Sequence, residues 1–154
     1  MFIRNAKQSE AHALSELALK SKRYWGYDEQ FMSVSKDDLT VTPEFIQQSK
    51  VYVLEGPTKN ILGFYSFTIE NDELELSFFF IDPNQIGKGS GKLMWEDAMK
   101  KAEETGYHCM KIISDPYARN FYEKMGATFI REVPSTFIKG RFLPLLIVNF
   151  HMLN

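Results

Sequence analysis

The segment Glu73–Lys92 constrains the fold more than any other part of the chain. Up to Ile81 it is rich in the aromatic and branched residues typical of a strand, and glycines dominate the part that follows. From Gly91 an apolar stripe begins at helical spacing, so the pattern predicts a strand, a glycine loop and a helix. Glycine backbones and the unpaired N–H groups of a helix start can surround an anion, so we predict a phosphate or pyrophosphate site here.

Two familiar phosphate-binding patterns do not fit this loop. A Walker loop needs a first glycine where Ile86 stands, and a Ser or Thr where Leu93 follows Lys92. A dinucleotide fingerprint Gly-x-Gly-x-x-Gly would have to end on Lys92 or Met94. These mismatches disfavour a nucleotide-binding protein. Taken alone, the loop is as compatible with a glycine turn that binds nothing as with an anion site.

Composition narrows the class of protein. The 154 residues suit one domain, which we expect to span residues 1–154, and 44% hydrophobic residues are ample for its core. A net charge of −2 gives no electrostatic reason to expect nucleic acid or an anionic membrane as a partner. The N-terminus lacks the apolar centre of a signal peptide, and the single cysteine fits a reducing cytoplasm. No His, Cys, Asp or Glu cluster has metal-ligand spacing, so we expect no metal.

The remaining patterns predict the order of elements. Ser9, Thr42 and Asp115 are the predicted N-caps, and Gly106 and Gly126 are the predicted helix ends. The predicted strands are residues 2–5, 50–55, 61–70, 73–81, 108–114, 128–133 and 144–151. This order predicts an α+β fold with a mixed, mostly antiparallel central sheet of about seven strands, flanked by helices.

Alternation along the strand Glu73–Ile81 predicts its two faces. The predicted core face carries Leu74, Leu76, Phe78 and Phe80, and the opposite face carries Glu75 with Ser77, Phe79 and Ile81.

Two further expectations concern burial. Cys109 is predicted to be a buried small hydrophobe and a poor nucleophile. The apolar run Pro144–Phe150 suggests a strand covered on both faces, either by helices of this chain or by the partner of a homodimer.

A second motif lies in the segment Asp115–Ala127. Ala118, Phe121, Tyr122 and Gly126 match the pattern Ala-x-x-Phe/Leu-Tyr-x-x-x-Gly of the GNAT N-acetyltransferases, and the loop Gly87–Lys92 resembles their pyrophosphate loop. The sequence departs from the family at Ile86, where Gln or Arg is usual, at Asp115, usually Asn, and at Ala127, usually Phe. The resemblance covers Glu73–Ala127 well and the ends only by element order. Residues 21–32 and 134–144 look like a bacterial subgroup of the family that implies no acceptor.

The resemblance implies an N-acetyltransferase with acetyl-CoA as co-substrate. Because Cys109 is predicted to be a poor nucleophile, we expect direct transfer of the acetyl group, and we expect a primary amine of a small molecule as the acceptor. Two side chains are implied in the chemistry: Tyr122 as the acid that protonates the departing thiolate, and Glu75 as the base. The implied cofactor-binding residues are Phe80, Ile81, Ile86, Gly87, Lys88, Gly89, Ser90, Gly91, Lys92, Asp115 and Tyr122. Three alternatives stay open: Tyr122 as a core aromatic, Glu75 as a solvent-facing carboxylate, and the whole chain as a CoA-binding module without catalysis or an enzyme acting on a protein amine.

The acceptor is expected between the segment that follows the first helix and the loop Pro134–Leu143. The residues proposed to bind it are Tyr24, Trp25, Phe31 and Arg141. Aromatic rings would contact an apolar group, and the arginine would bind a carboxylate, so a small amine or an amino-acid-like acceptor is favoured over a protein lysine. The alternative is that the aromatic residues fill the core and Arg141 is a solvated loop charge.

Overall fold

The structure, a computed structural model, describes residues 1–150. The helices are α1 (Ala11–Arg23), α2 (Glu29–Ser35), α3 (Pro43–Gln48), α4 (Ser90–Glu104) and α5 (Arg119–Lys124), with short 3-10 turns at Gln8–Glu10, Pro83–Gln85 and Pro116–Ala118. The strands are β1 (Phe2–Asn5), β2 (Lys50–Glu55), β3 (Ile61–Glu70), β4 (Glu73–Ile81), β5 (Cys109–Ile113), β6 (Thr128–Pro134) and β7 (Phe142–Asn149).

The strands form one seven-stranded sheet in the order β1-β2-β3-β4-β5-β7-β6. Strands β2, β3 and β4 make the predicted antiparallel meander, and β4 and β5 are the parallel pair. The other neighbours are antiparallel. The predicted α+β class, with a mixed and mostly antiparallel sheet of about seven strands, is confirmed.

Helices cover both faces of this sheet. On one face α1, α2 and α3 pack over Val53 and Phe64, with Leu14 and Met32 as buried contacts. On the other face α4 and α5 pack over the second cluster, which contains the buried Met94, Trp95 and Tyr122. The sheet is therefore covered by helices on both faces.

The predicted faces of β4 are wrong beyond Leu76. The register with β3 shifts because Ser77 is an extra residue between the pairs Phe67–Leu76 and Ser66–Phe78. A single inserted residue reverses the alternation that follows it. Phe78 and Phe80 therefore lie on the face of α1, together with Glu75, whereas Phe79 and Ile81 lie with Leu74 and Leu76 against α4 and α5.

Most predicted helix ends are correct. Thr42 accepts a hydrogen bond from the Phe45 N–H, and Asp115 accepts one from the Tyr117 N–H. Gly106 and Gly126 follow the last turns of α4 and α5 with φ of +85° and +108°, which only glycine adopts readily.

The first helix does not start at its predicted cap. Ser9 lies inside the turn Gln8–Glu10, and α1 begins at Ala11. The Glu10 carboxylate fixes this turn, because it accepts a hydrogen bond from the Lys7 N–H and pairs with Arg4 at 2.7 Å.

The predicted burial of Cys109 is wrong. Cys109 is exposed because it is the first residue of β5, at the end of the sheet. The apolar run in β7 has an explanation within the chain. This strand lies between β5 and β6, and its oppositely directed residues Leu145 and Leu146 are both buried. A homodimer stays a prediction, and His151, predicted to end this strand, lies outside the described residues.

Within residues 1–150, none of the helices combines the length and the apolar character needed to cross a bilayer.

Candidate active site

Strands β4 and β5 separate soon after they pair. Their ladder consists of the pairs Leu74–Met110 and Glu75–Lys111, although β4 continues to Ile81. The bulge at Ser77 lies just beyond the last pair. A cavity of about 560 Å³ occupies the resulting gap and is lined by β4 from Glu75 to Ile81 and by residues 112–115. This volume is in the range of small-molecule sites.

The glycine loop closes one end of this cavity. Gly87 and Gly89 have φ of +81° and +83°, and Gly89 is the residue that precedes α4. Within residues 1–150 five N–H groups of the loop and of the first turn of α4 donate to no backbone carbonyl: those of Gly87, Gly89, Ser90, Gly91 and Lys92. Such groups at the start of a helix carry partial positive charge, so this end of the cavity suits an anion.

Most of the predicted cofactor-binding residues line the cavity. They are Phe80, Ile81, Ile86, Gly87, Gly89, Gly91, Lys92, Asp115 and Tyr122. Lys88 is exposed and does not line the cavity. The Ser90 side chain is buried, and its hydroxyl donates to Gln85 Oε1 at 3.0 Å, which leaves only its backbone N–H for a ligand.

Gly91 lies where the loop meets α5. A Cβ at this position would lie 3.3 Å from the Phe121 ring, which is tight for any side chain. The small residue lets α4 approach Phe121, and the Phe121 ring in turn packs against Phe79 with the centroids 5.6 Å apart. The loop and α5 are thus in direct contact.

Tyr122 lies on α5 with its ring in the core and only 6% of the residue exposed. Phe79, Trp95 and Phe121 surround the ring at centroid distances of 5.4–6.0 Å. Its hydroxyl makes no hydrogen bond with another side chain in the part of the chain that the structure describes, and the residue lines the cavity. Burial, and then the nearby charge of Asp115, raise the pKa of the phenol above its ordinary value, so it stays protonated at neutral pH.

Glu75 lies on the opposite side of the gap, at the last paired position of β4. Its Oε1 is 3.8 Å from Lys111 Nζ, which is an ion-pair distance but not a close hydrogen bond. Burial raises the pKa of this carboxyl, and the Lys111 charge partly opposes the shift. The expected neighbours Phe79 and Ile81 are replaced by Phe78 and Phe80, because of the bulge at Ser77.

The four residues predicted to bind an acceptor separate into two pairs. Tyr24 and Trp25 line the cavity, and Phe31 and Arg141 do not. Phe31 stacks on Tyr27 at 4.0 Å, and the Arg141 guanidinium lies 4.5 Å from the Phe31 ring centroid. Phe31 therefore has the core role that was the alternative interpretation of these aromatic residues.

Arg141 belongs to a cluster formed by Lys22, Tyr27, Asp115 and Arg141, which we call the Asp115 cluster. Lys22 Nζ lies 2.7 Å from Asp115 Oδ2, the Tyr27 hydroxyl donates to the same oxygen at 2.9 Å, and Arg141 donates to Tyr27 Oη at 2.8 Å. Arg141 is also 3.5 Å from Asp115 Oδ2. The arginine is thus neither a solvated loop charge nor aimed into the cavity, because its partners lie within the chain.

Other residues line the cavity that sequence reasoning did not single out as site residues. Asp38 lies beyond α2, Tyr117 follows β5, and Phe137 belongs to the β6–β7 loop. Tyr117 lies inside the second sequence motif, and its ring stacks on Trp25 at 5.4 Å with an interplanar angle of 7°. That motif position was the available signal for Tyr117, whereas no local pattern marks Asp38 or Phe137.

Comparison with known proteins identifies this arrangement. The family model described as an acetyltransferase (GNAT) domain matches residues 8–140. No curated protein sequence gives a significant match.

Solved structures with the same fold span nearly the whole chain. A GCN5-related N-acetyltransferase from Rhodopseudomonas palustris aligns with a TM-score of 0.80 at 14% identity, covering 97% of this chain and 95% of that one. The PaiA N-acetyltransferase of Thermoplasma acidophilum, solved with coenzyme A, aligns with a TM-score of 0.73 at 17% identity, covering 97% of this chain and 98% of that one. YncA of Salmonella typhimurium, a putative acetyltransferase solved with acetyl-CoA, aligns with a TM-score of 0.72 at 19% identity, covering 100% of this chain and 96% of that one.

The family match includes the glycine loop, the separated strands and the helix of Tyr122, and the structural matches extend the same fold to both ends of the chain. The chain belongs to the GNAT family of acetyltransferases.

Proposed function

We propose that this protein transfers the acetyl group of acetyl-CoA directly to a primary amine of a small molecule. The observation that carries the proposal is the cavity between β4 and β5, which joins the anion-suited glycine loop to a protonated phenol and a carboxylate. The family uses acetyl-CoA, and two relatives of the same fold were solved with acetyl-CoA or coenzyme A.

The residues present fit acetyl-CoA in two places. The N–H groups of Gly87 and of residues 89–92, which donate to no backbone carbonyl among residues 1–150, suit the pyrophosphate, which would bind at the start of α4. Beyond the pair Glu75–Lys111, the unpaired edge of β4 faces the cavity, and the pantetheine amides can bond to it as an added strand would. Acetyl-CoA supplies the activated acetyl group, and all other roles fall to the chain itself.

The chemistry needs one base and one acid. Glu75 accepts the proton of the acceptor ammonium, directly or through water, and the free amine attacks the acetyl carbon. The C–N bond forms and the C–S bond breaks, and Tyr122 gives its phenol proton to the departing thiolate. The second proton that the attacking nitrogen loses passes through water to the phenolate and restores the phenol. Cys109, the one cysteine of the chain, does not line the cavity, which favours direct transfer over an acyl-cysteine route.

Release of free CoA thiol in the presence of a panel of small primary amines tests this function. We expect thiol release that depends on both the amine and the enzyme, with the N-acetylated amine as product in equal amount. Thiol release without acetylated amine, or acetyl-CoA binding without turnover of any amine, would contradict the proposal and favour a CoA-binding module.

The Glu75→Gln variant should lose the acidic limb of the pH profile of kcat/KM. In the wild-type enzyme the carboxylate forms as pH rises through the raised pKa of Glu75, so activity increases over that range. The variant should be slower on the order of 10²-fold at pH 7, and the deficit should shrink at higher pH, where the amine is deprotonated without a base. Steady-state kinetics between pH 5 and 9 measure both effects.

Glu73→Gln is the matched control for this variant. Glu73 precedes Glu75 by two residues on β4, also lies near Lys111 at 4.0 Å, and does not line the cavity. Its removal should leave the pH profile unchanged. Equal profiles for the two variants would exclude Glu75 as the base.

A further inference from the structure

The mouth of the cavity carries an unusual concentration of exposed aromatic side chains. We define the aromatic rim as Tyr24, Trp25, Tyr117 and Phe137, all of which line the cavity and are 38–55% exposed. They come from the end of α1, the β5–α5 junction and the β6–β7 loop. Large apolar groups held together at a surface usually mark a binding site, because their exposure to water is unfavourable.

Within the rim the rings are arranged for contact with a flat group. Trp25 and Tyr117 stack in parallel, and Tyr24 meets Trp25 edge-on at 5.4 Å. Because these rings stay 38–55% exposed, one more ring or a planar apolar group can pack against them. The Tyr27 ring of the Asp115 cluster meets the Tyr117 ring edge-on, with the two centroids 5.6 Å apart.

The charges at this end of the cavity are acidic. Asp38 and Glu75 line the cavity, and Asp38 forms no salt bridge among residues 1–150. The cations near these acids are already paired within the chain, since Lys111 lies 3.8 Å from Glu75 Oε1 and both Lys22 and Arg141 are bound to Asp115. The remaining lysine of the lining, Lys92, belongs to the glycine loop. An ammonium group is therefore favoured here, and a carboxylate has no unpaired partner and would face two acids.

We infer that the acceptor is a primary amine carried on a planar apolar body, with no carboxylate beside the amine. The inference rests on the proposed function and narrows the expectation of a small amine or an amino-acid-like acceptor, because it excludes the amino-acid-like class. The planar body lies on the Trp25–Tyr117 stack, and the ammonium faces Asp38 and Glu75. Rings that contact a cation-bearing substrate add cation–π attraction to apolar contact.

Three amines form a matched test of this class. 2-Phenylethylamine has both features, propylamine lacks the ring, and phenylalanine adds the carboxylate. We expect kcat/KM for 2-phenylethylamine to exceed that of each of the others by at least about tenfold, measured by thiol release at saturating acetyl-CoA. Equal or inverse preference, with turnover present, would overturn the inference and leave the acetyltransferase function intact.

Single substitutions test whether the aromatic rim causes the preference for 2-phenylethylamine. Trp25→Ala should raise the KM for 2-phenylethylamine about tenfold and leave propylamine nearly unchanged. Phe2→Ala is the matched control, because Phe2 is also an exposed aromatic residue, at 54% against 38% for Trp25, but lies on β1 at the far edge of the sheet. Asp38→Asn should raise the KM of both amines. An unchanged ring preference in Trp25→Ala would remove the rim from the acceptor site.

A binding measurement keeps the two proposals distinct if no amine is acetylated. Calorimetric titration of the three amines into the protein with coenzyme A present does not require turnover. Tighter binding of 2-phenylethylamine, lost in Trp25→Ala, would support the rim and contradict the catalytic function. Equal or absent binding of all three would overturn the rim as an acceptor site.

Discussion

Replacing Tyr122 by Phe should lower kcat by about 10²–10³-fold while the affinity for acetyl-CoA stays close to that of the wild type. The proposed mechanism makes the phenol on the cavity wall the proton donor, and Phe keeps the ring contacts with Phe79, Trp95 and Phe121. Because the hydroxyl bonds to no other side chain among residues 1–150, its loss should cost little stability. Steady-state kinetics and a calorimetric titration of acetyl-CoA separate the two effects.

The pH dependence sharpens this prediction. The pKa of Tyr122 is raised, so the neutral phenol that donates the proton persists as pH increases and is lost only above the ordinary phenol range. Between pH 7 and 9 the ratio of wild-type to variant kcat should therefore stay constant. Tyr117→Phe is the matched control, since Tyr117 is exposed at 55% and keeps its stacking ring. If Tyr122→Phe equals the wild type at every pH, another group protonates the thiolate.

Replacing Asp115 by Ala should lower the free energy of unfolding by about 3 kcal/mol, because two largely buried cations lose their counter-charge. The side chains of Lys22 and Asp115 are each 12% exposed, and Arg141 depends on the same carboxylate. The variant also loses the cap of the turn Pro116–Ala118, which leads into α5. Urea unfolding at constant pH measures the change.

Asp82→Ala is the matched control for the Asp115 cluster. Asp82 also precedes a proline, caps a short turn and pairs with a lysine, but Lys20 is 53% exposed and 3.2 Å away. Its removal should cost about 1 kcal/mol, the value of a cap with a weak surface pair. Equal losses for the two variants would mean that the cluster adds no stability beyond its cap.

The parts of the fold that depend on neighbours in the chain were readable from the sequence. The glycine loop with α4, the caps Thr42 and Asp115, and the inward face of α5 follow from spacing within a few residues. The order of these elements, together with two motifs, was enough to predict the fold class and the position of the cavity wall.

The errors have a common physical origin in contacts between distant segments. The extra residue at Ser77 is visible only once β4 is paired with β3, and it exchanges the faces of Phe78 and Phe79. Arg141 donates a hydrogen bond to Tyr27, which lies 114 positions earlier in the chain, so no local pattern shows that its charge is already paired. The same holds for Asp38 and Phe137, which the fold alone brings to the cavity.

The most direct test of the central claim, that the gap between β4 and β5 binds acetyl-CoA through the glycine loop, is a calorimetric titration of acetyl-CoA. We compare the wild type with Gly89→Ala and Gly106→Ala. Both glycines have similar positive φ, +83° and +85°, at opposite ends of α4, but only Gly89 lines the cavity. The claim predicts one bound molecule with a Kd between about 1 μM and 1 mM, a loss of about tenfold or more in Gly89→Ala, and near wild-type affinity in Gly106→Ala. Absence of binding to the wild type at about 1 mM acetyl-CoA, or equal binding by all three proteins, would contradict it.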